Sequence, residues 1–254
     1  MDYEAIYIIW LREMKRYFRS RAQMIASLGQ PVLYLLALGF GMGPVYARAG
    51  QGNYLQFLAP GIIGMTVLFS SVFSGMGLLW DRQFGFLKET LVAPQPRLLI
   101  MAGRTLGSAT VAMMQGLLVT IVCIISGFRP VNVAMVPLGI LFMALIAIVF
   151  SALGTTIGSA LKDMQGFQMT MNFLVLPIFF LSGALYPLTT VGPVLRVINA
   201  IDPLAYGIDG MRSALLGMVV GQVRFGAGLD VTVLVAVALL FLSLGAYTFS
   251  KIEI

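Results

Sequence analysis

Read along the chain, apolar and polar positions fall into long greasy blocks separated by short polar breaks. Six blocks come near the roughly 20 residues needed to cross a hydrocarbon core about 30 Å thick. They run from Met24 to Gly43, Tyr54 to Trp80, Leu98 to Ser126, Val133 to Leu161, Phe167 to Leu185 and Val231 to Ser250. They are too long for barrel strands and do not alternate, so each is predicted to be a helix, which satisfies its own backbone polar groups. Ahead of the first block, residues 3–19 have helical periodicity. Tyr3, Ile6, Tyr7, Trp10, Met14, Tyr17 and Phe18 share one arc, and Arg12, Lys15, Arg16 and Arg19 the other. This predicts, over residues 1–22, a basic amphipathic helix lying in the membrane interface with its arginines toward anionic headgroups. A signal peptide is the competing reading; the full span behind it lacks an obvious small-residue cleavage site.

Two polar breaks are unusual. Residues 81–97, DRQFGFLKETLVAPQPR, carry Asp81, Arg82, Lys88, Glu89 and Arg97, with Arg104 just beyond. Phe84, Leu87 and Leu91 are spaced by three and four, which predicts a short helix with an apolar stripe beside Lys88 and Glu89, stopped by Pro94 and Pro96. Such a helix at the cytosolic face is a docking surface in outline; the alternative is an interfacial helix resting among headgroups. The segment 186–230 is more apolar than a loop needs to be. Pro187, Pro193 and Pro203 punctuate it, with Val194, Leu195, Val197 and Ile198 between the last two. Short helices re-entering the outer leaflet and capping a pathway fit this pattern, and an interfacial pair with no role in passage is the alternative.

Composition sharpens the class. Hydrophobic residues make up 59% and charged residues 10%, against about 45–50% and 25% in soluble domains. The chain is therefore read as one all-α integral membrane domain, residues 1–254. It has no histidine, and its one cysteine, Cys123, lies inside a span, so no disulfide framework, Cys/His metal site or catalytic cluster is expected. The net charge of +6 sits at span ends, where topology explains it without nucleic acid. Arg12, Lys15, Arg16, Arg19, Arg21, Arg82, Lys88, Arg97, Arg104, Lys162 and Lys251 fall on one side, and Arg48, Arg129, Arg196, Arg212 and Arg224 on the other. By the positive-inside rule both termini are cytosolic.

Charge is absent from 22–47, 53–80, 105–128, 130–161 and 164–195. Ion-coupled carriers need intramembrane carboxylates or arginines, and the nearest candidate, Arg104, is expected to snorkel to the interface. A phosphate loop needs lysine directly after glycine, whereas the lysines here follow Met14, Leu87, Leu161 and Ser250. Energy would then come through a separate ATPase. Aromatics in and beside the spans, Tyr34, Phe40, Phe69, Phe73, Phe173, Phe179, Phe180 and Tyr186, are candidates to line a pathway, the alternative being packing or lipid contact.

Three stretches, in order, carry a resemblance: ETLVAP (Glu89 to Pro94) followed by Arg97, PIFFLSGALYPL (Pro177 to Leu188) and DPLAYGIDGMR (Asp202 to Arg212). With the N-terminal helix and six spans, the chain resembles, over essentially its whole length, the permease subunit of a type 2 ATP-binding-cassette exporter. The resemblance implies an inner-membrane half-transporter that forms a homodimer. It also implies two partner ATPase subunits, which bind ATP and Mg, docked on a coupling helix between spans two and three. Phe84, Leu87, Lys88, Glu89 and Leu91 match that helix, and 186–230 matches the re-entrant outer pair. Spans one and five of two protomers would face each other, with Tyr34, Phe40, Phe173, Phe179, Phe180 and Tyr186 as candidate contacts for an amphipathic substrate. The chain resembles drug- and nodulation-factor-type members, moving a drug, lipid or lipo-oligosaccharide, more than O-antigen ones. The latter carry Leu-Gly-x-x-Trp before the first span, where this chain reads SLGQPVLY. Export of lipid-linked polysaccharide or teichoic acid is the alternative. A membrane enzyme acting on lipid would need clustered His, Asp, Glu or Cys, and a coupled carrier would need charged spans.

Overall fold

The computed structural model describes residues 2–48, 53–86, 96–187, 192–217 and 225–250, and the regular structure among them is entirely helical. Helix α1 (Asp2–Arg19) is followed by α2 (Arg21–Tyr34), which passes through a π-helical turn (Leu35–Phe40) into α3 (Gly41–Arg48). Next come α4 (Tyr54–Phe73), α5 (Met76–Gln83), α6 (Arg97–Ile125), a 3-10 turn (Val133–Met135) and α7 (Val136–Ala160). Then follow α8 (Met164–Leu181), α9 (Pro193–Ile201), α10 (Pro203–Leu216) and α11 (Ala227–Ser250). Six helical stretches are long and apolar enough to cross a membrane: Met24–Tyr46, Tyr54–Gln83, Arg97–Ile125, Val133–Ala160, Met164–Leu181 and Ala227–Ser250.

The six apolar blocks thus become six long helical stretches, with shifts at their ends that have local causes. The fifth stops at Leu181, four residues short of its apolar block, because Ser182 and Gly183 form a turn in which Gly183 takes φ +74. Asn53, Asp163 and Asp202 cap α4, α8 and α10, each accepting a backbone N–H of the first turn. Pro31 removes a backbone donor inside α2, and the helix widens into its π turn four residues later.

Helix α4 is the axis of the packing. It is buried on nearly every side between Tyr54 and Leu68, against α6, α7 and α10. Where α4 breaks before α5, backbone meets backbone: a methyl on Gly75 would stand 2.1 Å from the Gly154 carbonyl oxygen, and one on Gly154 would stand 2.4 Å from that of Val72. No side chain fits either position, so α7 locks the break in place. Helix α11 packs along α7, and α1 lies along α6.

The expected arc of α1 is only partly apolar cover for lipid. Trp10 donates to Thr110 Oγ1 at 3.0 Å, and Met14 and Tyr17 are buried, while Tyr7 and Phe18 are exposed. Its arginines also depart from the expectation, since Arg12 and Arg16 have protein partners. Helix α10 is buried along almost its whole length against α4, α7 and α11.

Candidate functional site

Three constructions stand out, two of them built on charges that were expected to face water. The first lies where the chain enters the charged 81–97 segment. Asp81, on the last turn of α5, is buried and bridges two arginines: Arg12 Nη2 of α1 at 2.5 Å, and Arg104 Nη2 of α6. Arg104 is 5% exposed. It therefore does not snorkel to the interface as expected; a buried carboxylate one helix away holds it instead. Asp81 and Arg104 flank the segment before and after, so this ion pair clasps its base. Arg82 Nη1 adds a long contact to the Leu161 carbonyl at 3.4 Å.

Beyond the clasp, α5 ends at Gln83, and Gly85 turns the chain with φ +81. Phe84 stands 65% exposed there, its ring 6.0 Å from that of Trp80, and Phe86 is exposed beside it. The expected docking stripe is thus represented by Phe84; Leu87, Lys88, Glu89 and Leu91 lie outside the described residues.

The second construction is a cavity of about 650 Å³ between α1, α2, α4, α5 and α6. It runs from Trp80 to Met65, roughly 20 Å of helix. Its charged lining residues are Glu13 and Arg16, paired at 3.0 Å, and its remaining polar lining is hydroxyl and amide. Tyr17, Ser108 and Gln115 are each at most 5% exposed. Tyr17 Oη has the Gln115 side chain beside it but completes no hydrogen bond. Burial pushes the Tyr17 phenol above its ordinary value, with Gln115 pulling the other way, so it remains a neutral donor.

The third construction is at the opposite end of the bundle. Arg212 of α10 is buried, and its Nη2 donates to the carbonyls of Gly183 and Ala184, both at 3.0 Å. Its guanidinium lies over the Phe57 ring, 3.9 Å from the centroid. Burial pulls the guanidinium down to about 10, with Asp209 the first group opposing this, so it keeps its charge at neutral pH. The DPLAYGIDGMR and PIFFLSGALYPL stretches therefore touch through Arg212. Nearby, Tyr54 Oη donates to the Leu185 carbonyl at 2.9 Å, and Asn199 Nδ2 to that of Leu181 at 3.0 Å. A methyl on Gly61 would stand 2.2 Å from the Ala184 carbonyl oxygen, so α4 and this turn meet at backbone distance.

The candidate pathway aromatics are split. Phe173 is 84% exposed on α8, and Phe40 on the π turn and Phe180 on α8 are exposed as well. Tyr34 is half-buried, its ring centroid 6.2 Å from that of Phe179 in an edge-to-face pair, and Phe179 is itself buried between Tyr34 and Phe69. Tyr186 Oη donates to the Phe180 carbonyl at 2.9 Å. Sequence reasoning missed the cavity, whose serines, threonine and glutamines are scattered over α2, α4, α6 and the junctions before α2 and after α4. It also missed Asp230, wholly buried in the first turn of α11, whose carboxylate oxygens accept no hydrogen bond among the described residues. The positive end of the α11 dipole is the favourable element of that site.

Comparison with known proteins adds the following. A family profile described as ABC-2 type transporter matches residues 4–216. The chain is 28% identical over 216 residues to the inner membrane transport permease YadH of Escherichia coli K12, covering 84% of each chain. It is 26% identical over 223 residues to nodulation protein J of Rhizobium leguminosarum bv. viciae, covering 87% of this chain and 85% of that one.

Proposed function

The chain belongs to the ABC-2 type transporter family, and from that membership we propose that it is the permease half of an exporter driven by a separate ATPase. The permease itself binds no nucleotide; ATP and Mg belong to the partner. It forms a homodimer in the inner membrane with both termini cytosolic, and it moves an amphipathic substrate outward. The substrate class is a drug, lipid or lipo-oligosaccharide, as the resemblance to drug- and nodulation-factor-type members implies. The observation that carries this reading is the clasp at the base of the 81–97 segment. A loop that merely returned the chain to the bilayer would need no buried ion pair across its entrance. A loop that receives force would need one, because Asp81 ties it to α1 and α6 together.

The reading is tested by co-expressing the permease with an ATPase subunit and purifying them together. Phe84→Ala and Leu87→Ala should each reduce retained ATPase, since truncating an apolar anchor at an interface costs about 1 to 4 kcal/mol, and Glu89→Ala should act on the same coupling. Export by the reconstituted complex should require ATP. Retention and export undiminished in all three variants would remove the segment as the contact, and export driven by a proton or sodium gradient would remove the ATPase reading.

Orientation has its own test. Cys123 is buried, so its replacement by serine gives a background for single cysteines. Cysteine at Gly52 or Gly221 should react with an impermeant thiol reagent in intact cells, and cysteine at Gln95 should not. Labelling of Gln95→Cys alone would reverse the topology.

A further inference from the structure

The cavity between α1, α2, α4, α5 and α6 is separate from the exposed aromatics of α8 and lies within a single chain. Its chemistry selects a ligand. Glu13 and Arg16 neutralise one another at 3.0 Å, so neither an anionic nor a cationic headgroup finds a free counter-charge. Ser27, Thr66 and Ser74 give their hydroxyl hydrogens to their own helix carbonyls, at 2.8, 2.9 and 2.6 Å, and keep lone pairs for a ligand. Tyr17 Oη makes no hydrogen bond among the described residues, Gln115 and Ser108 are buried beside it in the lining, and an unmet hydrogen bond in such a setting is costly. A partner that both donates and accepts without carrying charge satisfies this set. The lining also includes Met65, Phe69 and Phe73, an apolar surface for a chain of methylenes.

We propose that this cavity is a binding site within one protomer for an amphiphile with an uncharged headgroup rich in hydroxyl or amide groups. Its use in export rests on the permease reading, but the binding does not. The site also touches the drive: Gly77 and Trp80 of its wall share a helix with Asp81, and a methyl on Gly77 would stand 2.6 Å from Arg16 Nη2. Occupancy is thereby felt on the same turn that clasps the 81–97 segment.

The chain contains two tryptophans, and Trp80 lines the cavity. Trp10→Phe makes Trp80 the sole indole reporter. The full-length variant in phosphatidylcholine nanodiscs is titrated, below micelle-forming concentrations, with octyl glucoside, octyl sulfate and octyl trimethylammonium, which share one chain length. Octyl glucoside should change Trp80 emission saturably, with half-saturation about 10-fold below that of either charged amphiphile. Gln115→Leu, which keeps the volume and removes the amide, should raise that half-saturation about 5- to 10-fold, and Ser108→Val should act in the same direction. If Trp10→Phe folds poorly, the native chain read against Trp80→Phe gives the same signal by difference. A linear response, equal half-saturation for all three headgroups, or no effect of Gln115→Leu in folded protein would overturn the proposal. No ATPase takes part, so such a failure leaves the permease reading standing, and loss of ATP-dependent export leaves the binding result standing.

Discussion

Asp81→Asn should destabilise the purified protein by about 3 to 5 kcal/mol, the range for removing one partner of a buried ion pair. The reason lies in Arg104 rather than in Asp81. Its side chain is 6% exposed, its Nε has no hydrogen-bond partner among the described residues, and its Nη2 rests on Asp81. With the carboxylate gone, a full positive charge stays desolvated beside an amide that attracts it far less. Arg12 is in a different position, because its side chain is 42% exposed and returns to water when released. Arg12→Ala should therefore cost less than about 1 kcal/mol, as for other solvent-accessible pairs. Adding Arg104→Met to Asp81→Asn should restore most of the loss, since an uncharged side chain of similar length needs no counter-ion. Thermal unfolding in detergent, followed by the fraction of monodisperse protein, reads all three. For a chain of this length the single variant should lower the midpoint by roughly 6 to 20 °C. Equal effects of Asp81→Asn and Arg12→Ala, or no rescue by Arg104→Met, would show that the clasp is not the source of the loss.

Arg212→Ala should be of the same order, again about 3 to 5 kcal/mol, for a different reason. Removing this side chain strips the Gly183 and Ala184 carbonyls of their donor and uncovers the face of Phe57 in a dry site. It also leaves a void where a large side chain was packed. Arg212→Lys should fall between, because an ammonium reaches one carbonyl as a point charge but lacks the planar group that lies flat on the ring. Arg48→Ala, at an exposed position, should change stability by no more than about 0.5 kcal/mol. The same unfolding measurement decides it, and an Arg212→Ala protein as stable as Arg48→Ala would remove the staple from the account.

These two arginines also mark where reading the chain stopped short. The spans were legible because a bilayer demands a length and an apolarity that leave few alternatives. Counting cations at their ends treats every arginine as solvated, and nothing local to Arg104 or Arg212 says otherwise. Their partners sit on other helices: a carboxylate 23 residues away in one case, and two main-chain carbonyls 29 and 28 residues away in the other. The cavity escaped for a related reason. Attention to charge passes over Ser108, Gln115 and Thr66, which are polar without being charged, and only the packing gathers them. Aromatic identity likewise does not reveal facing, so Phe179 and Phe180, adjacent in sequence, end up buried and exposed respectively.

Burial is distributed unevenly, with α4 and α10 enclosed while α2 and α8 show much of their surface. That asymmetry bears on how such a protein can diverge. Substitutions on an exposed helical face perturb stability little, whereas those along α4 meet backbone at contact distance. Residues on those exposed faces can therefore change while the frame that holds Arg212 and Asp81 stays fixed. A helical frame built this way can take on new surface chemistry without a new scaffold.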